Sequence, residues 1–198
     1  DTSLSETTPR EQQPASEREA VAQTPEEQLA VMKEAIAEAK QFETDDLELY
    51  YWLIRVISEA KTFGIELSDE ELLIRAQQER ENLNQFIAFA ASHYDVSFSE
   101  AEVDEFLKEQ LRIDESTMAE YMPFADLMGM TMEEFIFEFE RDRNTQTVVW
   151  THLQPVLEEK YAREIEKARE ASIKQNTPFN VNGFLLEMYE TEFEKHYK

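Results

Sequence analysis

The chain has 198 residues and a formal net charge of −25, from 44 acidic and 19 basic side chains; 41% of it is apolar, with three glycines, six prolines and no cysteine. That length can bury a real core, and the apolar content excludes a disordered chain, while so few turn residues exclude a sandwich or barrel of many short strands. The charge opposes nucleic acid, whose affinity rests on Lys and Arg at phosphates, and opposes anionic bilayers; the lack of cysteine excludes disulfides, thiolate catalysis and Cys-ligated metals.

Residues 1–23 are rich in Ser, Thr, Pro, Glu and Gln with almost no large apolar side chain. Such a segment cannot offset its chain entropy and is expected to be a disordered linker. The chain opens on Asp1 without an apolar signal region, so it reads as a processed product, and the linker as a stalk from an inferred N-terminal membrane anchor. The longest unbroken apolar runs, 49–54 and 86–91, fall far short of the ~20 residues of a membrane span.

From residue 24 on, helices are announced by their caps. Thr24 before Pro25-Glu26-Glu27 gives an N-cap, a proline at N1 and acids in the first turn; Leu29, Met32 and Ile36 form its apolar face. Thr44, before Asp45-Asp46, is expected to start a second helix. Its Leu49, Leu53, Val56, Ile57 and Ala60, widened by Tyr50, Trp52 and Ile54, make it apolar nearly all round and the centre of the core. Gly64 ends it. Ser68 with Glu71 is a capping box opening a helix to about Ser92, with Leu72, Ala76, Leu83, Phe86, Ile87 and Ala90 inward. Phe98 or Ser99 begins the next, carrying Val103, Phe106, Leu107 and Leu111.

A shorter helical piece over 114–128 is expected to break or restart at Pro123, and Gly129 closes it. Thr131 with Glu134 is another capping box, launching a long run through Phe135, Phe139, Val149, Trp150, Leu153, Val156 and Leu157. Pro155 is expected to kink or split that run, which resumes as a solvated helix to about Lys174. After a turn at 176–182, Gly183 leads the last helix, with Phe184, Leu185, Met188, Tyr189 and Phe193. No internal repeat is present. The expected fold is all-α, one compact domain of about seven or eight helices over 24–198.

Signatures of catalysis are missing. None of His93, His152 and His196 sits in a Glu-x-x-His pair or a His-Glu-x-x-His motif, and no glycine-bearing calcium loop occurs. Three isolated glycines cannot form a phosphate loop, and no nucleophile elbow exists. Acidic pairs such as Asp45-Asp46, Glu133-Glu134 and Glu158-Glu159 are explained by capping and solvation. No catalytic residue, cofactor or metal is expected.

One stretch stands out. Five of the seven methionines are Met118, Met122, Met128, Met130 and Met132, interleaved with Tyr121 and Phe124 and followed by Phe135, Phe137 and Phe139. Methionine is unbranched and polarizable, so it serves adaptable cores and surfaces that accept many partners.

Three segments carry a family likeness. LIRVISEAKTFGIELSDEELL (53–73) resembles the helix–glycine–capping-box segment of the SurA/PrsA-type extracytoplasmic chaperones. VDEFLKEQL (103–111) and GMTMEEFIFEFERDRNTQTVVWTHL (129–153) are similar to later helices of that family, which contain a Gly-(Met/Leu/Ile)-Thr-x-Glu-Glu-Phe turn. The likeness spans about 45–165. It departs in two respects. The short initial strand with an Asn-Gly turn is absent, and where many members insert a parvulin prolyl-isomerase domain this chain has only residues 175–182.

The resemblance implies a chaperone-like fold without isomerase activity. It implies an apolar interhelical groove for unfolded or extended polypeptide, carried here onto Met118, Tyr121, Met122, Phe124, Met128, Met130 and Phe137, and a place outside the cytoplasm on a bacterial membrane. The competing reading is a scaffold or regulatory module that docks one partner, or dimerises, through the same helices.

Overall fold

The computed structural model describes residues 24–112 and 115–197, the side chains of 115–118 and 120 excepted. The tail expected to be disordered, 1–23, lies outside the described residues. Among those described there is no strand, and the all-α expectation holds. Among the described residues nine α-helices follow one another: α1 Pro25–Ala39, α2 Leu47–Phe63, α3 Asp69–Tyr94, α4 Glu100–Arg112, α5 Glu115–Met128, α6 Met132–Glu134, α7 Arg141–Lys160, α8 Ala162–Gln175 and α9 Val181–Tyr197. A 3-10 turn, Lys40–Phe42, follows α1, and a π-helical turn, Phe135–Phe139, follows α6.

The described residues form two compact units that interleave in sequence: 24–81 with 115–132, and 82–112 with 133–197. In the first, α1 packs along α2 and against α5. Met32, Ala35, Ile36 and Ala39 of α1 meet an α2 whose Leu49, Tyr51, Leu53, Ile54, Val56, Ile57 and Ala60 are all buried. Arg55 is buried too, its guanidinium 4.6 Å from the Trp52 ring centre, where a cation–π contact offsets part of its desolvation.

In the second unit α7 is the hub, packing against α4, α8, α9 and the π-helical turn. Its core is aromatic as well as aliphatic: Phe86, Phe89, Tyr94 and Tyr189 pack with Val149, Leu153, Leu157, Ile165 and Leu185. The Tyr189 hydroxyl, buried, donates to the Phe86 carbonyl at 2.6 Å, which satisfies the one polar atom that this ring takes inside.

Caps set most helix starts where the sequence places them. Thr24 and Glu27 exchange hydrogen bonds at the head of α1, as do Ser68 and Glu71 before α3 and Ser99 and Glu102 before α4. Gly64 closes α2 at φ 62°, a left-handed conformation that costs glycine little.

Several expectations are corrected. The α2 cap is Asp46, whose carboxylate accepts from the Leu49 amide at 3.0 Å; Thr44 instead accepts from the Asp46 amide, one step earlier. Neither proline divides its helix: Pro123 lies inside α5 and Pro155 inside α7. Each removes one hydrogen bond, to the carbonyl of Ala119 or Thr151, and both of those residues are exposed, so solvent can take the vacant acceptor. The long helix breaks at Tyr161 instead (φ −103°, ψ 20°). It also starts later than expected, at Arg141, because the intervening π turn takes up an extra residue. Helix α9 begins at Val181, with Asn180 accepting from the Gly183 amide at 3.2 Å, so Gly183 lies within the first turn. Val156, expected inward, is exposed.

Candidate functional site

Helix α5 and the turn after it bring five of the seven predicted residues into the first unit: Tyr121, Met122, Phe124, Met128 and Met130. The helix packs against α1, and Ala125 is fully buried. Tyr121 and Met122, four and three positions before it, are 46% and 47% exposed. Phe124, Leu127, Met128 and Met130 are half-buried. None of the five is core. Met118 lies in α5, but its side chain is outside the described ones. Phe137 is half-buried within the π turn and belongs to the second unit, where its neighbours Phe135 and Phe139 are buried and stack at 5.1 Å.

The end of α5 shapes the surface. Gly129 adopts φ +71°, its amide bonding Asp126 O at 3.1 Å, while the Met130 amide reaches back to Ala125 O at 3.0 Å. This Schellman closure turns the chain at Met130 back against the last turn of the helix. Adjacent thioethers and rings at partial exposure form an apolar strip with rotatable side chains, able to adapt to several shapes. Along the sequence the charge of this stretch is of one sign. Between Arg112 and Arg141 the chain carries Asp114, Glu115, Glu120, Asp126, Glu133 and Glu134, among other acids, and no Lys or Arg.

A second concentration of polar chemistry lies in the second unit, and nothing in the sequence announced it. The Glu192 carboxylate of α9 accepts hydrogen bonds from the hydroxyls of Tyr94 and Tyr161 and from Lys160 Nζ at 2.7 Å. Burial alone would raise this carboxyl; the donated bonds from Lys160, Tyr161 and Tyr94 overcome that and hold it at about 2. Burial and the facing carboxylate push both tyrosines up. Lys160 also lies 4.7 Å from the Tyr94 ring centre. The arrangement ties α9 to the ends of α3 and α7. Its members come from separate helices, so no local spacing reveals it.

The His93 and His196 rings meet edge to face at 4.4 Å beside Phe89, a further pairing that sequence distance hid. Among the described residues, no group of three or more His, Asp or Glu side chains stands close enough to hold a metal ion, and no helix is long and apolar enough to cross a membrane. Comparison with protein-family models, with curated proteins and with solved structures finds no significant match.

Proposed function

We propose that the protein is a non-catalytic, chaperone-like holdase domain of the SurA/PrsA type, acting outside the cytoplasm, that binds unfolded or extended polypeptide on the α5 surface. The observation that carries this reading is the exposure of Tyr121 and Met122 on a helix whose other described large apolar side chains, Phe124, Leu127 and Met128, are only half covered. Burying such area yields about 25 cal/mol per Å², without demanding a fixed partner shape. The likeness of 53–73 and 129–153 to that chaperone family and the absence of cysteine support the extracytoplasmic placement.

The acids of this stretch, on a chain of net charge −25, narrow the clients. An apolar segment flanked by Lys or Arg would be drawn to the strip, and one flanked by acids repelled, with both effects fading as salt shortens the Debye length. Catalysis has no part in this reading; the chain acts by holding.

Light scattering of an aggregating, chemically unfolded substrate tests it. The intact protein should suppress aggregation in proportion to its concentration, and Tyr121→Ser with Met122→Ser should remove most of that effect while circular dichroism stays unchanged. Full suppression by the double variant would place client binding elsewhere. No suppression by the intact protein, with a concentration-dependent change in its own mass, would favour the dimerising scaffold.

A further inference from the structure

The second unit holds a cleft of about 420 Å³ between α7 and the start of α9. Its floor is Phe86, half-buried Trp150 and the exposed edge of Leu186; Gln146, Asn180 and Asn182 stand at its rim. On a chain in which 32% of residues are charged, no charged side chain lines it. Asn180 spends its carbonyl oxygen on capping α9, which leaves its amide nitrogen. Among the described residues, the carboxamides of Gln146 and Asn182 have no hydrogen-bond partner.

We infer that this cleft binds a short, uncharged, extended peptide segment carrying one large apolar side chain. A carboxamide offers an N–H donor and a C=O acceptor in one plane, the complement of a peptide unit's own acceptor and donor. The aromatic and aliphatic floor takes the side chain that points inward, while its neighbours along an extended backbone point away. The charged groups that grip ionic ligands most strongly are absent from the lining, so recognition falls on backbone and on one apolar anchor. The inference extends peptide binding to the second unit but rests on different residues from the α5 strip, so the two stand or fall separately.

The test uses the full chain and a blocked octapeptide, acetylated and amidated, with a central phenylalanine and no charge. The chain has two tryptophans, so in Trp52→Phe the fluorescence of Trp150 alone reports on the cleft; calorimetry on the unaltered protein covers the case in which that variant folds poorly. We expect saturable binding. Gln146→Ala with Asn182→Ala, both exposed positions, should weaken it about tenfold, the effect of two neutral hydrogen bonds, with helicity unchanged. Tyr121→Ser with Met122→Ser should leave it intact. The inference is overturned by the absence of saturable binding at millimolar peptide, by equal affinity for a backbone-N-methylated peptide or for the double alanine variant, or by a neutral oligosaccharide binding where the peptide does not.

Discussion

Helices α2 and α5 belong to the same unit and are both rich in large apolar side chains, yet they end in opposite situations. In α2 nearly every face is covered, even at Arg55; in α5 only Ala125 is fully buried among the described side chains, and Tyr121 and Met122 meet solvent. The difference lies in what each side chain can reach. Leucine and β-branched side chains at 53, 54, 56 and 57 are all buried in α2, while α5 buries the small Ala125 and leaves Tyr121 and Met122 at the margin. Apolar composition selects helices that must find cover or use their exposure, and packing partners decide which.

Substitutions can break or sharpen this contrast. The largest effect is expected for Leu53→Ala, which empties a fully buried position of α2 and should cost about 2–5 kcal/mol in urea unfolding; a loss below 1 kcal/mol would mean that α2 is not the packed helix of the pair. In the second unit, Glu192→Gln should cost about 1–3 kcal/mol, by weakening the acceptor shared by Tyr94, Tyr161 and Lys160. Because the folded carboxyl is held at about 2, its contribution is complete above the ordinary carboxylate range and disappears as pH falls from there through about 2. Acid titration followed by circular dichroism should show this loss in the unaltered protein and a flatter curve in Glu192→Gln.

Smaller again is Thr24→Ala, which removes a cap on the helix that covers α2 and should cost about 1 kcal/mol in thermal unfolding. The smallest stability effect belongs to Met122→Ser, within about 0.5 kcal/mol by denaturant titration, as for an exposed site. A cost of several kcal/mol there would turn α5 into a second α2 and remove the contrast.

Much of the fold was legible because it is local. A capping box needs residues three apart, so Thr24, Ser68 and Ser99 declare their helices, and Gly64 declares an end. What hides is set by tertiary balance. Pro123 and Pro155 look like breaks, yet a helix survives the loss of one hydrogen bond when the freed carbonyl faces water; Tyr161, with no breaker beside it, is where the backbone does turn. The π turn at 135–139 has no residue signature. For the candidate surface, composition pointed to the Met/Phe stretch but could not say which members are exposed, and Phe137 proved to lie in the other unit. The uncharged cleft joins residues 86, 146–150 and 180–186, a proximity that no single-sequence pattern encodes.

The interleaving of the two units constrains how the molecule is made. As the chain leaves the ribosome from its N-terminal end, residues 82–113 emerge before the first unit can close, because α5 has yet to be synthesised. The first unit is therefore complete only once residue 132 is out, and the second waits for α9. Until then α1 lacks one of its neighbours and the apolar faces of α3 and α4 lack α7. Local caps on α1, α3 and α4 suit that order of events, since they favour each helix before its partner is made. The same connectivity means that no single cut of the chain yields both units whole, so a protease nick near 81 or 113 would separate sequence without separating structure.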